Sequence, residues 1–170
     1  MTHGWYIASI ALHIIAACLW VGGMLFLVLV LVPALRRLQD RALAVQLMRE
    51  TGRRYRSVGW ATLVVLMFTG TTNLLARGIG TATLLSPEFW RSPFGSVLAF
   101  KLGTVLIILI LSALHDFFVG PRASEALRRQ PNDPAALRWR ACASWFGRVN
   151  LVLALIVVVC GVMLVRGRPW

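Results

Sequence analysis

Three ionisable side chains, His13, Lys101 and His115, lie inside long apolar runs of a 170-residue chain. Ionisable groups are costly in hydrocarbon, so each marks a candidate functional site. Residues of these types, so placed, suit holding a cofactor, carrying protons or binding a metal. Each also has a plainer reading. His115 precedes Asp116 near a membrane boundary, where a simple hydrogen bond explains it. Lys101, the single lysine of the chain, has a stem long enough to reach toward water. His13 is too short for that; its plainer role is a hydrogen bond to a neighbouring helix.

The elements that must position them are four apolar stretches, at about 5–33, 57–76, 94–119 and 146–165. Each reaches or approaches the ~20 residues that cross a ~30 Å hydrocarbon core. With 58% hydrophobic residues and a mean hydropathy of +0.74, the chain is too apolar for an ordinary soluble domain. The fold class is all-α: a four-helix transmembrane bundle forming one integral membrane domain over residues 1–170. The first stretch has no basic residue ahead of it and exceeds a signal peptide's apolar core, so it is expected to remain in the mature protein.

The net charge is +12. The arginines fall between the apolar stretches, which suits membrane topology and contacts with membrane lipids and argues against nucleic acid. The connection after the first stretch holds Arg36, Arg37, Arg41, Arg49, Arg53, Arg54 and Arg56. The connection after the third holds Arg122, Arg128, Arg129, Arg138, Arg140 and Arg148. Between the second and third there are only Arg77 and Arg91. The two rich connections should face the cytoplasm and both termini the periplasm, with Arg166 and Arg168 dissenting weakly.

Neither rich connection is a plain loop. Leu38, Ala42, Val45, Met48, Gly52 and Tyr55 recur at helical spacing among arginines. This predicts an amphipathic helix at the interface or an inward extension of the second stretch. Ser124 to Gln130 reads as another helix, closed by a Pro131-Asn132-Asp133 turn. Asp133 as cap and Pro134 at the first helical position then start an extension into the fourth stretch. Trp5, Trp60, Trp90, Trp145 and Trp170 mark membrane edges, whereas Trp20 lies mid-membrane. Cys18, Cys142 and Cys160 form no CxxC pair, and read as small buried residues.

On the first helix His13, Ala17, Trp20 and Met24 share a face, and Gly22 and Gly23 beside it allow close approach. Thr62, Thr69 and Asn73 on the second helix and Asn150 on the fourth read as interhelical hydrogen-bonding groups. His13 lies roughly 12 Å from the outer start of its helix, and Lys101 is at similar depth. His115 is about 20 Å deeper. Two histidines on one iron need nitrogens about 4 Å apart, so His13 and His115 of one protomer are poor partners.

The segment ALHIIAACLWVGGMLFLVLVLVPAL, with His13, Trp20, Gly22, Gly23 and Pro33, resembles the first helix of the copper-resistance D family of bacterial membrane proteins. FKLGTVLIILILSALHDFFVGPR resembles a later helix of that family, and also of the J-type four-helix protoporphyrinogen oxidases. His13 and Lys101 match the first-helix histidine and third-helix lysine of those oxidases. The two branches imply different cargoes: copper crossing the inner membrane, or haem b on the first-helix histidine. Five unclustered methionines and no Cys/His tract depart from a copper-transport pattern.

The reading adopted from sequence is a haem b-binding protein of bacterial inner-membrane redox chemistry. His13 is the axial ligand, Trp20, Gly23 and Thr69 line the pocket, and Lys101 pairs with a propionate. His115 is the candidate ligand of a second haem, or of the same iron across a homodimer interface. A porphyrin or a membrane redox partner follows from that reading. The alternatives are a protoporphyrinogen oxidase-like enzyme, a copper transporter using His13, Met24 and Cys18, and a structural subunit without chemistry of its own. The arginine asymmetry predicts that a C-terminal reporter active only in the cytoplasm stays silent; an active reporter would invert every assigned depth.

Overall fold

The computed structural model describes residues 3–129 and 133–167. Four long helices dominate them: α1 (Gly4–Arg36), α2 (Arg41–Ala76), α5 (Pro93–Arg129) and α6 (Pro134–Arg166). Two single turns, α3 (Thr81–Leu85) and α4 (Pro87–Arg91), connect α2 to α5. There is no strand among the described residues. At 33 to 37 residues, the long helices measure roughly 50–55 Å and outreach the hydrocarbon core. All four are apolar enough to cross a membrane. Their outward faces carry Ile14, Leu19, Phe68, Phe100, Leu106 and Val159, all exposed, as a lipid-facing surface requires.

The expected inward extension of the second stretch is continuous with it. Asp40 starts α2, its carboxylate accepting the Leu43 N–H at 3.0 Å, so one helix runs from the arginines into the membrane. Pro134 occupies the first turn of α6 as expected, but the Asp133 side chain makes no capping bond. Gln130, Pro131 and Asn132, including most of the expected turn, lie outside the described residues, as do Arg168 and Trp170.

Two internal prolines shape the helices. The Val32 N–H reaches back five residues to Leu27, and the Gly120 N–H five residues to His115. Both wide π-type turns close on the residue directly before a proline, Pro33 or Pro121. A proline inside a helix lacks a donor and clashes with the carbonyl four residues back, and a wide turn relieves this. The third apolar stretch therefore does not stop at Val119. Its helix widens over His115–Val119 and continues to Arg129.

α1 packs chiefly on α2, and α5 chiefly on α6; α1 also meets α6. Trp20, Met24, Leu63, Ile108, Leu151 and Ala154 form the buried core between them. Arg77 ties one end of the bundle together. Its guanidinium donates to the Tyr6 hydroxyl and to the Leu164 carbonyl in the last turn of α6, and lies over the Phe94 ring of α5. Just beyond it Gly78, at φ +76°, closes α2 with paired bonds from Gly78 to Leu75 and from Ile79 to Leu74. This is the Arg77 end; the other is the arginine-rich end.

Gly23 of α1 is occupied by its neighbour. A methyl group there would fall inside the Tyr55 ring of α2, and the Tyr55 hydroxyl donates to the Trp20 carbonyl at 2.6 Å. Gly23→Ala should therefore destabilise the bundle by about 1–3 kcal/mol, the usual cost of overpacking. Thermal unfolding in detergent should show that loss, and Tyr55→Leu should largely restore stability in the double variant.

Candidate functional site

The inward face of α1 is set by helical spacing: Ser9, Ala16, Trp20 and Met24 are buried, and His13 is half-buried among them. His13 meets α2 at Thr69, which is fully buried. The Thr69 hydroxyl bonds the Val65 carbonyl at 2.7 Å, and its oxygen meets the His13 Nδ1 at 2.8 Å. With the hydroxyl proton on Val65, Nδ1 donates and a neutral imidazole keeps its lone pair on Nε2. Ser9 braces the same turn by donating to the Thr69 carbonyl at 3.4 Å. The ring lies beside Gly70 of α2, its Cε1 at an ordinary 3.5 Å from where a methyl group would stand.

Lys101 belongs to the same end of the bundle. Its charge acts on the His13 imidazole, and its Nζ lies 3.8 Å from where a Gly161 methyl would be. Cys160, buried beside it, and Arg77 are its other electrostatic neighbours. The sequence reading treated the three cysteines alike, but Cys18 is exposed on the lipid side, Cys142 is intermediate and only Cys160 is buried. Cys18, named with His13 and Met24 as a copper ligand, does not join them. The inward thiol at this end is Cys160, which sequence reasoning passed over.

Trp20, Gly23 and Met24 lie farther along α1. Trp20 is roughly 10 Å and Met24 roughly 16 Å from His13 by helix rise. Trp20 and Met24 belong to the packed core, and Tyr55 fills the space beside Gly23. Of the expected pocket wall, the structure brings only Thr69 into contact with His13. At Met24's level, Asn150 of α6 donates to Ser112 Oγ at 3.0 Å and approaches Met24 Sδ at 4.0 Å. Its Oδ1 is buried without a hydrogen-bond partner.

His115 opens a second polar cluster at the arginine-rich end. Its Nδ1 donates to Asp116 Oδ1 at 3.0 Å. Asp116 Oδ2 accepts the Trp60 indole N–H at 3.0 Å, and Arg56 Nε pairs with the carboxylate at 3.8 Å. A methyl at Gly120 would crowd the His115 carbonyl at 3.0 Å, with Arg56 Nη2 at an ordinary 3.8 Å. Trp60 is therefore more than an edge anchor: it holds a carboxylate. The wide turn before Pro121 contains both His115 and Asp116. His13 and His115 stand in separate clusters at opposite ends.

The bundle thus offers a lone oriented imidazole at one end, a thioether among amides and hydroxyls midway, and a His–Asp–Arg–Trp cluster at the other end. Among the described residues no three His, Cys, Asp or Glu side chains converge as a metal cage.

A family model described as copper resistance protein D matches residues 49–165. The chain belongs to the copper resistance protein D family. A second comparison finds an uncharacterized protein of Aquifex aeolicus (strain VF5), 33% identical over 158 residues, which cover 92% of each chain. No solved structure matches. Four apolar helices and this family make the chain a multi-pass membrane protein. The comparisons carry the copper-resistance half of the resemblance seen in sequence; none carries the oxidase half. Of the two apolar stretches expected to carry the resemblance, the first and the third, the family match covers the third but not the first. It takes in most of α2 and all of α5, with nearly all of α6, and begins after α1, the helix of His13. Lys101, His115, Asp116 and Asn150 all fall within it.

Asp116 is the hub of its cluster. Asp116→Ala leaves the Trp60 N–H and the His115 N–H without their shared acceptor and Arg56, whose buried Nε has no hydrogen bond, without its ion-pair partner, an expected cost of about 1–3 kcal/mol. Thermal unfolding of equal amounts of detergent-purified protein should show it, with Asp116→Glu losing less.

Proposed function

We propose that this member of the copper resistance protein D family binds copper and moves it in the bacterial inner membrane, with His13 as the ligand at the end where the chain begins and finishes. The observation that carries the reading is the His13–Thr69 bond. With the Thr69 hydroxyl proton on the Val65 carbonyl, it leaves a neutral imidazole with its lone pair on Nε2, the form that binds a metal. The family supports copper as the cargo. Cuprous ion takes soft donors, and the Met24 thioether, roughly 16 Å farther in, is the next one on the same face of α1. His115 and Asp116 then offer nitrogen and oxygen donors at the arginine-rich end. The protein's own work in this route is to hold Nε2 ready and to keep lipid and water away from the polar groups.

One observation favours a second reading, haem b. His13 stands without a converging set of protein donors. A single imidazole is a sparse site for a free ion but a sufficient axial ligand for an iron whose other four nitrogens come from the porphyrin. The residues fit one axial bond, and the haem would supply one-electron redox chemistry.

The two readings separate experimentally. Deleting the gene should change copper-dependent growth and cell-associated copper, and the wild-type gene should restore both. His13→Ala should fail to do so at equal membrane abundance. Thr69→Val, which keeps the shape but frees the ring, should weaken copper binding by about 10–100-fold, as loss of a ligand's supporting hydrogen bond does. An unchanged copper response with a pigment removable by acidic organic solvent, lost in His13→Ala, would replace copper by haem.

A further inference from the structure

We propose that the bundle is two like hairpins, α1–α2 and α5–α6, that open against one another at either end, with Arg77 latching one end and Asp116 the other. The inference starts from a repeated spacing. Pro33 and Pro121 are as far apart in sequence as the wide turns before them, Leu27–Leu31 and His115–Val119. The same spacing relates four pairs of buried residues: Ser9 and Val97, Ala16 and Thr104, Trp20 and Ile108, Leu63 and Leu151. Each hairpin thus sends a proline-containing helix from the Arg77 end to the arginine-rich end and returns by a long helix. Because α1 and α5 run the same way, an axis along the bundle relates the two halves.

Contacts within a hairpin and contacts between hairpins are distributed differently. Inside the first, His13 meets Thr69 and Tyr55 bonds the Trp20 carbonyl; inside the second, Asn150 bonds Ser112. Between the two, the charged groups sit at the ends. Arg77 of the first hairpin reaches the Leu164 carbonyl and the Phe94 ring of the second. Asp116 of the second accepts the Trp60 indole N–H and pairs with Arg56 of the first. Midway the halves meet through the apolar core, with Asn150 Nδ2 4.0 Å from the Met24 sulfur. Apolar contact is non-directional, so the middle allows small rotations that the ends oppose.

Both latches are made to release. Arg77 is exposed, so its bonds exchange for water at little cost. Arg56 stands 3.8 Å from Asp116, and its buried Nε makes no hydrogen bond, so that ion pair is loosely made. The two wide turns lie at one depth, because Asn150 touches both Met24 and Ser112, each one turn ahead of its wide turn. Backbone already released from regular helical bonding is where a helix flexes. The wide turns are therefore the hinges of the arginine-rich end. Opening in turn would bare His13 at one end and His115 at the other; that use rests on the copper reading, whereas the latches do not.

Full-length protein in lipid nanodiscs, carrying Cys18→Ala and Cys142→Ala, keeps buried Cys160 as the reporter of the Arg77 end. Cys160 continues the inward face of Leu153 and Val157 on α6. Cys160→Ala with Ala123→Cys moves the reporter to the arginine-rich end, at a buried position one turn beyond Gly120, which stands beside Arg56. Maleimide labelling rates should be compared well below each variant's Tm. Arg77→Ala should speed labelling at Cys160 at least about tenfold and leave the Ala123→Cys reporter unchanged; Asp116→Asn should do the reverse. Arg77→Gln and Trp60→Phe substitute where either variant does not fold. Pro121→Ala, added to Asp116→Asn, should slow the Ala123→Cys reporter again by restoring a regular helix. Rates that rise together at both reporters, that rise at neither, or that ignore Pro121→Ala overturn the device, whatever becomes of the copper test.

Discussion

The hydrogen bond between His13 and Thr69 joins α1 to α2 at the Arg77 end. The Thr69 hydroxyl also bonds the Val65 carbonyl one turn back; with its proton there, the His13 ring donates through Nδ1 and Nε2 keeps its lone pair. The ring lies against α2 beside Gly70. Ser9 ties the same turn of α2 to α1. The bond is therefore a helix–helix contact that also orients the His13 ring.

Proline provides the second constraint. Pro33 and Pro121 each end a wide turn, and the second of these turns holds His115 and Asp116. In a regular helix, adjacent residues point about 100° apart. A wide turn changes that spacing locally, and such turns are frequent at functional sites. Asp116 here gathers His115 from its own helix and Trp60 and Arg56 from α2. The cluster is thus held together across two helices by the one carboxylate in the apolar part of α5.

The sequence makes the helices legible because hydropathy and helical spacing are local signals. The run from Leu38 to Tyr55 announced the long extension of α2 for the same reason. His13 stood out because imidazole is rare in an apolar run. Thr69 did not stand out in its true role. Thr62, Thr71, Thr72 and Thr104 all bond a carbonyl four residues back within their own helix; Thr69 does too, and only its partner on α1 sets it apart. That partner is 56 residues away. Arg77 and Trp60 were hidden likewise, since their acceptors lie on other helices. Cys18 and Cys160 look alike in sequence because each is a cysteine in an apolar helix; the packing of the bundle alone turns one out and the other in.

The two polar ends are separated by a dense middle. Trp20, Leu63, Ile108 and Leu151 fill it, and Tyr55 locks α2 to α1 by its bond to the Trp20 carbonyl. A carbonyl four residues before Met24 is already satisfied within a regular helix, so this hydroxyl is an extra tie rather than a repair. A charged cargo crossing from His13 to Asp116 would meet Met24, Asn150 and Ser112 as its polar and polarizable contacts on the way. The Asn150 Oδ1, buried and without a partner, is the costliest of these to leave as it stands. An amide oxygen, a hydroxyl and a thioether at one level are a poor resting site for any ion. The packed core and these polar groups thus share one depth of the bundle, with the Tyr55–Trp20 tie beside them.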